Sequence, residues 1–409
     1  MLSRQENDLL TRTGPGTPMG ELLRRYWIPA LLSEEIPEPD CPPVRVRLLG
    51  EELVAFRDSK GRVGLLDEHC SHRGTSLFYG RNEECGLRCI YHGWKYDVEG
   101  NVLETPAEPP DSNLRYKVHH PSYPCQETAG MIFTYMGPKD KMPLLPEYDW
   151  TRLPPDQTFV VKSFQECNYL QGLEGDCDSS HISYLHSSAR ELYRQDGRPV
   201  LLAEETDFGV RMVAIRKAGP ETNYVRITNF LMPSTGHVSA KSNRVHYWAP
   251  IDDTHSWKYS FSFTSQGRPP EKEEQLFLRG EVGADFRKIR NIHNDYLQER
   301  RRQKAQTYTG IEGFLAQDSC VTETMGSIYD RTKEHLGKSD TTVITIRRFL
   351  LKAVRSLQEG EEPPCLIHDP KQVFRRPVST GALLPSNASW RQLLIPADTP
   401  QRGPLKSRN

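Results

Sequence analysis

Cys70-Ser-His72 and Cys89-Ile-Tyr-His92, separated by sixteen residues, decide how this chain is read. Each pairs one thiolate donor with one imidazole, and each lies in a loop between short β-type runs. Two such loops facing each other can hold a tetrahedral zinc through two sulfurs and two nitrogens. They can equally hold a [2Fe–2S] cluster, with both cysteines on one iron and both histidines on the other. Ligand count does not separate these readings, but the pairing does. Zinc fingers usually match Cys with Cys and His with His, whereas both pairs here are mixed. His69-Cys-Ser-His-Arg-Gly74 and Cys89-Ile-Tyr-His-Gly-Trp94 also place a glycine after each histidine. Glycine lets the backbone turn tightly and bring N–H groups toward bridging sulfides. A cluster is therefore the better reading. His69 lies outside the motif and reads as an outer or surface group. Arg73 and Trp94 read as packing around the cluster, and Arg88 as sitting on a solvated strand edge.

Outward from these loops the first third reads as β. Val44–Leu49, Glu52–Arg57, Val63–Leu66 and Met131–Met136 are short runs broken by turn signals such as Asp58-Ser-Lys-Gly61. Prolines at Pro106–Pro110 and across Pro143–Pro155 punctuate the chain, and the second cluster marks a boundary between residues 1–155 and 156–409. Beyond it, Asn168–Leu185 reads as helix. In Trp257–Thr264 the aromatics take one face and the polar residues the other, a half-buried antiparallel strand. Val210–Lys217, Tyr224–Met232 and His237–Trp248 belong to the same sheet. Glu281–Ala305 reads as a charged, solvated helix. Val343, Ile346, Leu350, Ala353 and Leu357 repeat at helical spacing and should pack onto the sheet. The proline-rich last fifty residues should wrap the surface. The fold class is α+β: an N-terminal all-β domain, with its cluster loops near 68–94, and a C-terminal domain in which helices flank a large antiparallel sheet.

The chain has 409 residues, 36% hydrophobic and 26% charged, with a formal charge of −1. That balance gives no global attraction to nucleic acid or to an anionic membrane. The N-terminus is polar and no apolar run spans a bilayer, so a cytoplasmic location is expected. Of nine cysteines, Cys41, Cys85, Cys125, Cys167, Cys177, Cys320 and Cys365 show no ligand spacing and read as thiols in a reducing compartment.

A second constellation follows in Asp178-Ser-Ser-His181-Ile-Ser-Tyr-Leu-His186. On a regular helix Asp178 and His181 share a face, but His186 lies about 140° round from His181. One metal can bind both only if the helix carries a π-type turn or ends between them. Two histidines on a polar helix are more often solvated than ligating, so the residues alone leave this open.

Together, the cluster motif and Asn168–His186, which has the pattern D-x2-H-x4-H, resemble the Rieske non-haem iron ring-hydroxylating oxygenase α subunits. Pro18-Met-Gly-Glu-Leu-Leu-Arg-Arg-Tyr-Trp-Ile-Pro-Ala30 and Arg331–Asp340 are similar to the phthalate dioxygenase group. The resemblance implies a mononuclear Fe(II) on His181, His186 and a later carboxylate, leaving positions open for oxygen. Glu312, Asp318 and Glu323 are the candidates, and Phe314-Leu-Ala-Gln-Asp318 matches the family context best. It further implies that Asp178 bridges an iron histidine to a cluster histidine of the neighbouring subunit, in a trimer or a pair of stacked trimers. The substrate would be an aromatic carboxylate of phthalate, chlorobenzoate or phenoxybenzoate type, with the phenoxybenzoate type the particular expectation.

No dinucleotide-binding G-x-G-x-x-G and no plant-type ferredoxin run is present, so the electrons must come from a separate reductase carrying flavin and NAD(P)H. A carboxylate in an apolar pocket calls for arginine. Arg244 is the candidate, with Arg211, Arg216 and Arg226 as rivals. The alternatives are a monooxygenase or O-demethylase of an aromatic acid, and a Rieske electron carrier without oxygenase activity.

Overall fold

The computed structural model describes residues 1–154, 157–188, 191–239, 243–263 and 271–394. The expected boundary at 155/156 falls outside them. Two short helices, α1 (Arg4–Thr11) and α2 (Pro18–Leu23), precede the N-terminal β region. Its strands are β1 (Trp27–Leu32), β2 (Val44–Leu48), β3 (Glu51–Arg57), β4 (Val63–Asp67), β5 (Arg81–Glu83), β6 (Gly86–Arg88), β7 (Lys95–Tyr96), β8 (Val102–Glu104), β9 (Ser122–Tyr123), β10 (Cys125–Thr128) and β11 (Met131–Tyr135). They form small sheets in the orders β1-β11-β10, β2-β3-β4-β9 and β5-β6-β7-β8. The tip of this region has its own apolar core, with Val54, Phe56, Leu66, Leu77, Leu87, Trp94 and Tyr96 around Cys70 and Cys89. Its base shares one core with the rest of the chain, continuous from Leu10 to Val354. β12 (Glu147–Tyr148) then pairs in parallel with β20 (Phe374–Arg375).

The large sheet comprises β13 (Phe159–Gln165), β14 (Val200–Thr206), β15 (Gly209–Gly219), β16 (Thr222–Leu231), β17 (Thr235–Val238), β18 (Asn243–Pro250), β19 (Ser256–Phe263) and β21 (Thr380–Pro385). It is antiparallel in the order β13-β19-β18-β17-β16-β15-β14. On one edge of β16, β17 takes Asn229–Leu231 and β21 takes Thr222–Ile227. The expected run His237–Trp248 is thus two strands, with 240–242 outside the described residues. The C-terminal region does more than wrap the surface: β21 supplies a strand, and Leu384 packs with Val213, Val225 and Ile227.

The helices beyond β13 are α3 (Tyr169–Cys177), α4 (Glu191–Gln195), α5 (Lys272–Arg279), α6 (Arg300–Ala305), α7 (Phe314–Glu323) and α8 (Thr341–Gln358). α8 follows the expected periodicity, burying Val343, Ile346, Leu350 and Ala353. Glu281–Ala305 is not one helix. Only Arg300–Ala305 is α-helical, and left-handed backbone at Phe286, Asp295, Tyr296 and Leu297 interrupts the rest. Most of its charges are exposed as expected, Asp285, Arg287, Asp295, Glu299 and Arg300 among them, but Lys288 is buried against Glu323 and donates to the carbonyl of Phe164 and to Gln165. None of the described helices is long and apolar enough to cross a membrane.

The sheet's two faces divide the chemistry. Val245, Tyr247, Tyr259 and Phe261 belong to the core shared with the N-terminal base, where Trp150 donates to the Tyr247 hydroxyl at 3.0 Å. Strand register places Arg216, Arg226, Arg244, His246 and Lys258 together on the opposite face. That face is not open to solvent. Arg216, Arg226, His246, Lys258 and Ser262 are all buried, and α3 packs over it.

Candidate metal centres and substrate cavity

The two cluster loops repeat one backbone design. The Gly74 N–H donates to the Cys70 carbonyl and the Gly93 N–H to the Cys89 carbonyl, at 2.8 and 3.0 Å. In turn the Cys70 N–H donates to Thr75 and the Cys89 N–H to Trp94. Closing these turns puts both glycines in the left-handed region, at φ +73° and +75°, which side-chain-bearing residues adopt only at a cost. The loops bring His72 and His92 to a ring separation of 4.5 Å, with His72 stacked on Trp94 at 4.9 Å. Cys70 and Cys89 are buried and free of disulfides. Burial, together with the adjacent Cys70, pushes the Cys89 thiol above its ordinary value. Two crowded buried thiols beside two imidazoles fit a metal group that stabilises thiolate.

Sequence reading missed what holds these loops. His120, fully buried, bonds the Asp67 carbonyl through Nε2 and Ser71 Oγ through Nδ1. Arg88 is no idle edge residue: it donates to the Gly93 carbonyl at 3.1 Å and pairs with Glu104 at 2.9 Å. Trp94 stacks as expected. Arg73 donates to the Tyr91 hydroxyl at 3.5 Å and its charge acts on His92, while His69 is exposed near Glu52 and Asp67.

In the second constellation the helix ends before the histidines. Asn168 caps α3, accepting from the Leu170 N–H. At the other end the Asp178 carboxylate accepts from the N–H groups of Ser180 and His181, at 2.7 and 3.1 Å. That turn stops the α-helix, and His181–Ser183 continues as a 3-10 turn. His181 and His186 therefore escape the separation of a regular helix, and their rings lie 5.0 Å apart. α7 brings Asp318 to them, and ligand atoms of all three lie within 4.8 Å of one another.

The rival carboxylates are elsewhere. Glu312 pairs with Arg290 and is half-exposed, while Glu323 is held by Lys288, Tyr296 and the Glu166 N–H. Burial works against ionised Asp318, but His186, His181 and Lys258 outweigh it and hold the carboxyl below its ordinary value. Each histidine has its Nδ1 occupied by a side-chain oxygen: His186 by Gln317 at 2.8 Å, His181 by Asp178 at 3.5 Å. This leaves both Nε2 atoms for a metal. The donor set, two imidazoles and one carboxylate, fits Fe(II) with open positions.

A cavity of about 270 Å³ opens on the three donors, walled by Arg226, Arg244, His246, Phe314, Ile182 and Tyr193. Arg244 pairs with Glu274 at 2.8 Å, and Arg226 bonds Ser179 Oγ and the Ser239 carbonyl. Arg216 is fully buried and braces Ser179 and Ser183. Arg211 lies on the other face, paired with Glu204.

The description "Rieske [2Fe-2S] domain" matches residues 26–124, and "LigXa C-terminal domain like" matches 134–401. The phthalate 4,5-dioxygenase oxygenase subunit of Pseudomonas putida is 40% identical, over 96% of this chain and 94% of its own. The 3-chlorobenzoate-3,4-dioxygenase oxygenase subunit of Comamonas testosteroni is 35% identical, over 95% and 97%. This chain belongs to the Rieske-type ring-hydroxylating oxygenases. The solved structure of dicamba monooxygenase bound to dicamba shares the fold, with a TM-score of 0.60 at 17% identity over 83% of this chain and 99% of that one. As an oxygenase component the chain is an oxidoreductase, and the bare electron-carrier reading is set aside.

Within the oxygenase, two further residues had no role assigned from sequence. Gln317 sits one position before Asp318, and its amide nitrogen donates to the Ile311 carbonyl at 2.8 Å, which orients its oxygen toward His186. Asp176 is gripped by His246 Nδ1 at 2.7 Å and Trp248 Nε1 at 2.6 Å. A helical residue two before Asp178 shows nothing in sequence of the strands that meet it.

Proposed function

We propose that this oxygenase hydroxylates the ring of an aromatic carboxylate, with Cys70, His72, Cys89 and His92 holding the [2Fe–2S] cluster and His181, His186 and Asp318 holding Fe(II). When bound, the cluster supplies electrons and the iron the place of oxygen activation. The observation that carries the reading is the cavity on the His181–His186–Asp318 cage being walled by Arg226 and Arg244. Arg244 anchors the carboxylate, and Arg226 shares the charge. Phe314 and Ile182 line the apolar flank for the ring and exclude water. Gln317 and Asp178 fix the tautomers of the two histidines.

Asp178 is also the bridge to a cluster histidine of a neighbouring subunit. Its side chain is a quarter exposed, and Tyr184, Tyr308, Val321 and Met325 stand exposed near it, as Ile90 and Tyr91 do beside His92. These two surfaces suit head-to-tail assembly into a trimer or stacked trimers. A cytoplasmic reductase with flavin and NAD(P)H delivers the electrons.

Oxygen uptake over a panel of benzoates, with a generic reductase, tests the substrate class. Arg244→Ala should raise KM for a carboxylate far more than for its neutral amide, and equal effects would remove Arg244 from the site. Labelled O2 decides the reaction type: a cis-diol carrying both atoms marks a dioxygenase, and a demethylated phenol marks the O-demethylase alternative. Asp178→Asn should keep both metal centres and lose turnover, and normal turnover would sink the bridge.

A further inference from the structure

The polar groups walling the Arg226–Arg244 cavity are unequal in what they can offer a ligand. Arg226 and Arg244 only donate. His181, His186 and Asp318 are the proposed metal donors, and the Ser239 hydroxyl can donate or accept. The Asp176 carboxylate already holds a donor on each oxygen, His246 Nδ1 at 2.7 Å and Trp248 Nε1 at 2.6 Å. His246 is different. It is buried on β18, it stands in the cavity wall, and its Nε2 has no hydrogen-bond partner among the described residues. Both nitrogens of His237 are sealed in the core without a partner, whereas Nε2 of His246 is not sealed off in this way.

The neighbours decide what this nitrogen is. Burial opposes ionisation of Asp176, but His246 and Lys258 outweigh it and hold the carboxyl below its ordinary value. An ionised carboxylate only accepts, so Nδ1 of His246 carries a proton. Burial, joined by Lys258 and Arg244, outweighs the pull of Asp176 and holds the imidazole below its ordinary value, so the ring is neutral at pH 7. A neutral ring has one N–H, which leaves a lone pair on Nε2 at the ring edge away from Asp176. The fold makes room for this arrangement. Gly236 faces His246 across the β17–β18 pair, and a methyl there would lie 2.8 Å from the Asp176 Cβ. On α3, a methyl at Gly172 would overlap the Trp248 ring.

We propose that His246 is a specificity-determining residue, its Nε2 accepting a hydrogen bond from a ring hydroxyl or N–H of the substrate, with Asp176 as the positioning residue that fixes its tautomer. The cavity then reads two marks on one ring, a carboxylate at the arginines and a proton donor at His246. A site built to hydrogen-bond a polar group rejects the analogue lacking it far more strongly than an apolar pocket rejects a missing methylene. The proposal rests on the functional reading for the carboxylate alone.

Calorimetric titration of the oxidised holoenzyme with matched rings tests it. Each of 2-, 3- and 4-hydroxybenzoate is paired with the fluorobenzoate of the same pattern, which is close in size and has no proton to donate. In wild type at least one hydroxybenzoate should bind about tenfold or more tightly than its fluoro partner, with no net proton uptake between buffers of different ionisation enthalpy. His246→Phe should lose that preference and still bind the fluorobenzoate. His246→Gln, whose side-chain carbonyl can accept, should recover part of it. Cluster absorption and iron content should be unchanged in both variants. Equal affinity within every pair in wild type, a preference that survives His246→Phe, or proton uptake on binding overturns the proposal. If the functional reading fails instead, the fluorobenzoates bind no better than the neutral fluorobenzamides, and the hydroxyl preference is then read within the matched benzamides. No binding by any of these rings overturns both.

Discussion

All four donors of the cluster loops come from residues 70–92, and the backbone makes the same two hydrogen bonds in each loop. His186 and Asp318 lie 132 positions apart, and side chains alone, Gln317 and Asp178, aim the two histidines. The first site is templated by local backbone; the second exists only once α7 has docked. That docking relies on buried polar groups, with Glu323 held by Lys288 and Tyr296, and Ser319 bound to Gln165. A locally templated site tolerates distant change, whereas an assembled one inherits every weakness of the packing between its parts.

The largest expected effect separates the two directly. Asp318→Ala should abolish chelatable iron and turnover while the visible cluster spectrum persists. Loss of the cluster in the same variant would mean that the sites are not independent. Next, Gln317→Leu releases His186 Nδ1 and should weaken iron binding about 10- to 100-fold, measured by chelator competition. Unaltered affinity would show that the aim comes from elsewhere.

Smaller effects probe the loops. Gly93→Ala places a methyl 2.7 Å from Pro106 Cγ at φ +75°, whereas Gly74→Ala, at φ +73°, meets nothing within 4 Å. Left-handed backbone alone costs about 1–2 kcal/mol, so Gly93→Ala should lower the midpoint of thermal cluster bleaching more than Gly74→Ala. The reverse order would break the symmetry drawn between the loops.

The smallest effect concerns Glu174, on the helix that leads to Asp178 and His181. Burial opposes its ionisation, but Arg331 and Arg347 outweigh this and hold the carboxyl below its ordinary value of 4.5. Its contribution to stability is therefore present above 4.5 and lost as pH falls through the lower folded value. Acid unfolding of Glu174→Gln should show a shallower pH dependence in that window, and an unchanged slope would remove the ion cluster from the account.

The same division explains what was legible in the sequence. Mixed Cys/His pairs with trailing glycines carry their own geometry, so the cluster loops could be read without tertiary knowledge. So could α8, whose apolar spacing records the surface it covers. The helix break at Asp178 stayed open because only the carboxylate's turn toward Ser180 and His181 decides it. Polar alternation in Trp257–Phe263 looked like a strand with one wet face, yet Lys258 and Ser262 are buried beneath the helices. In Glu281–Ala305 most charges are solvated as read, but Lys288 is buried against Glu323. Lys258, Ser262 and Lys288 are polar residues turned to the interior, which pattern alone cannot tell from a surface. β21 was missed because a short strand within a proline-rich tail is recognisable only by its partner, β16.

The separate core at the tip of the N-terminal region, drawn wholly from residues 54–118, has a consequence for how the protein is made. Synthesis runs from the N-terminus, and domains fold as units while the chain emerges. We expect the cluster pocket to be complete on the ribosome while Asp318 is still unsynthesised, so that cofactors load in a fixed order. Chains arrested at increasing lengths would reveal it. Cluster uptake without chelatable iron in the shorter ones is expected, and simultaneous uptake only at full length would rule it out.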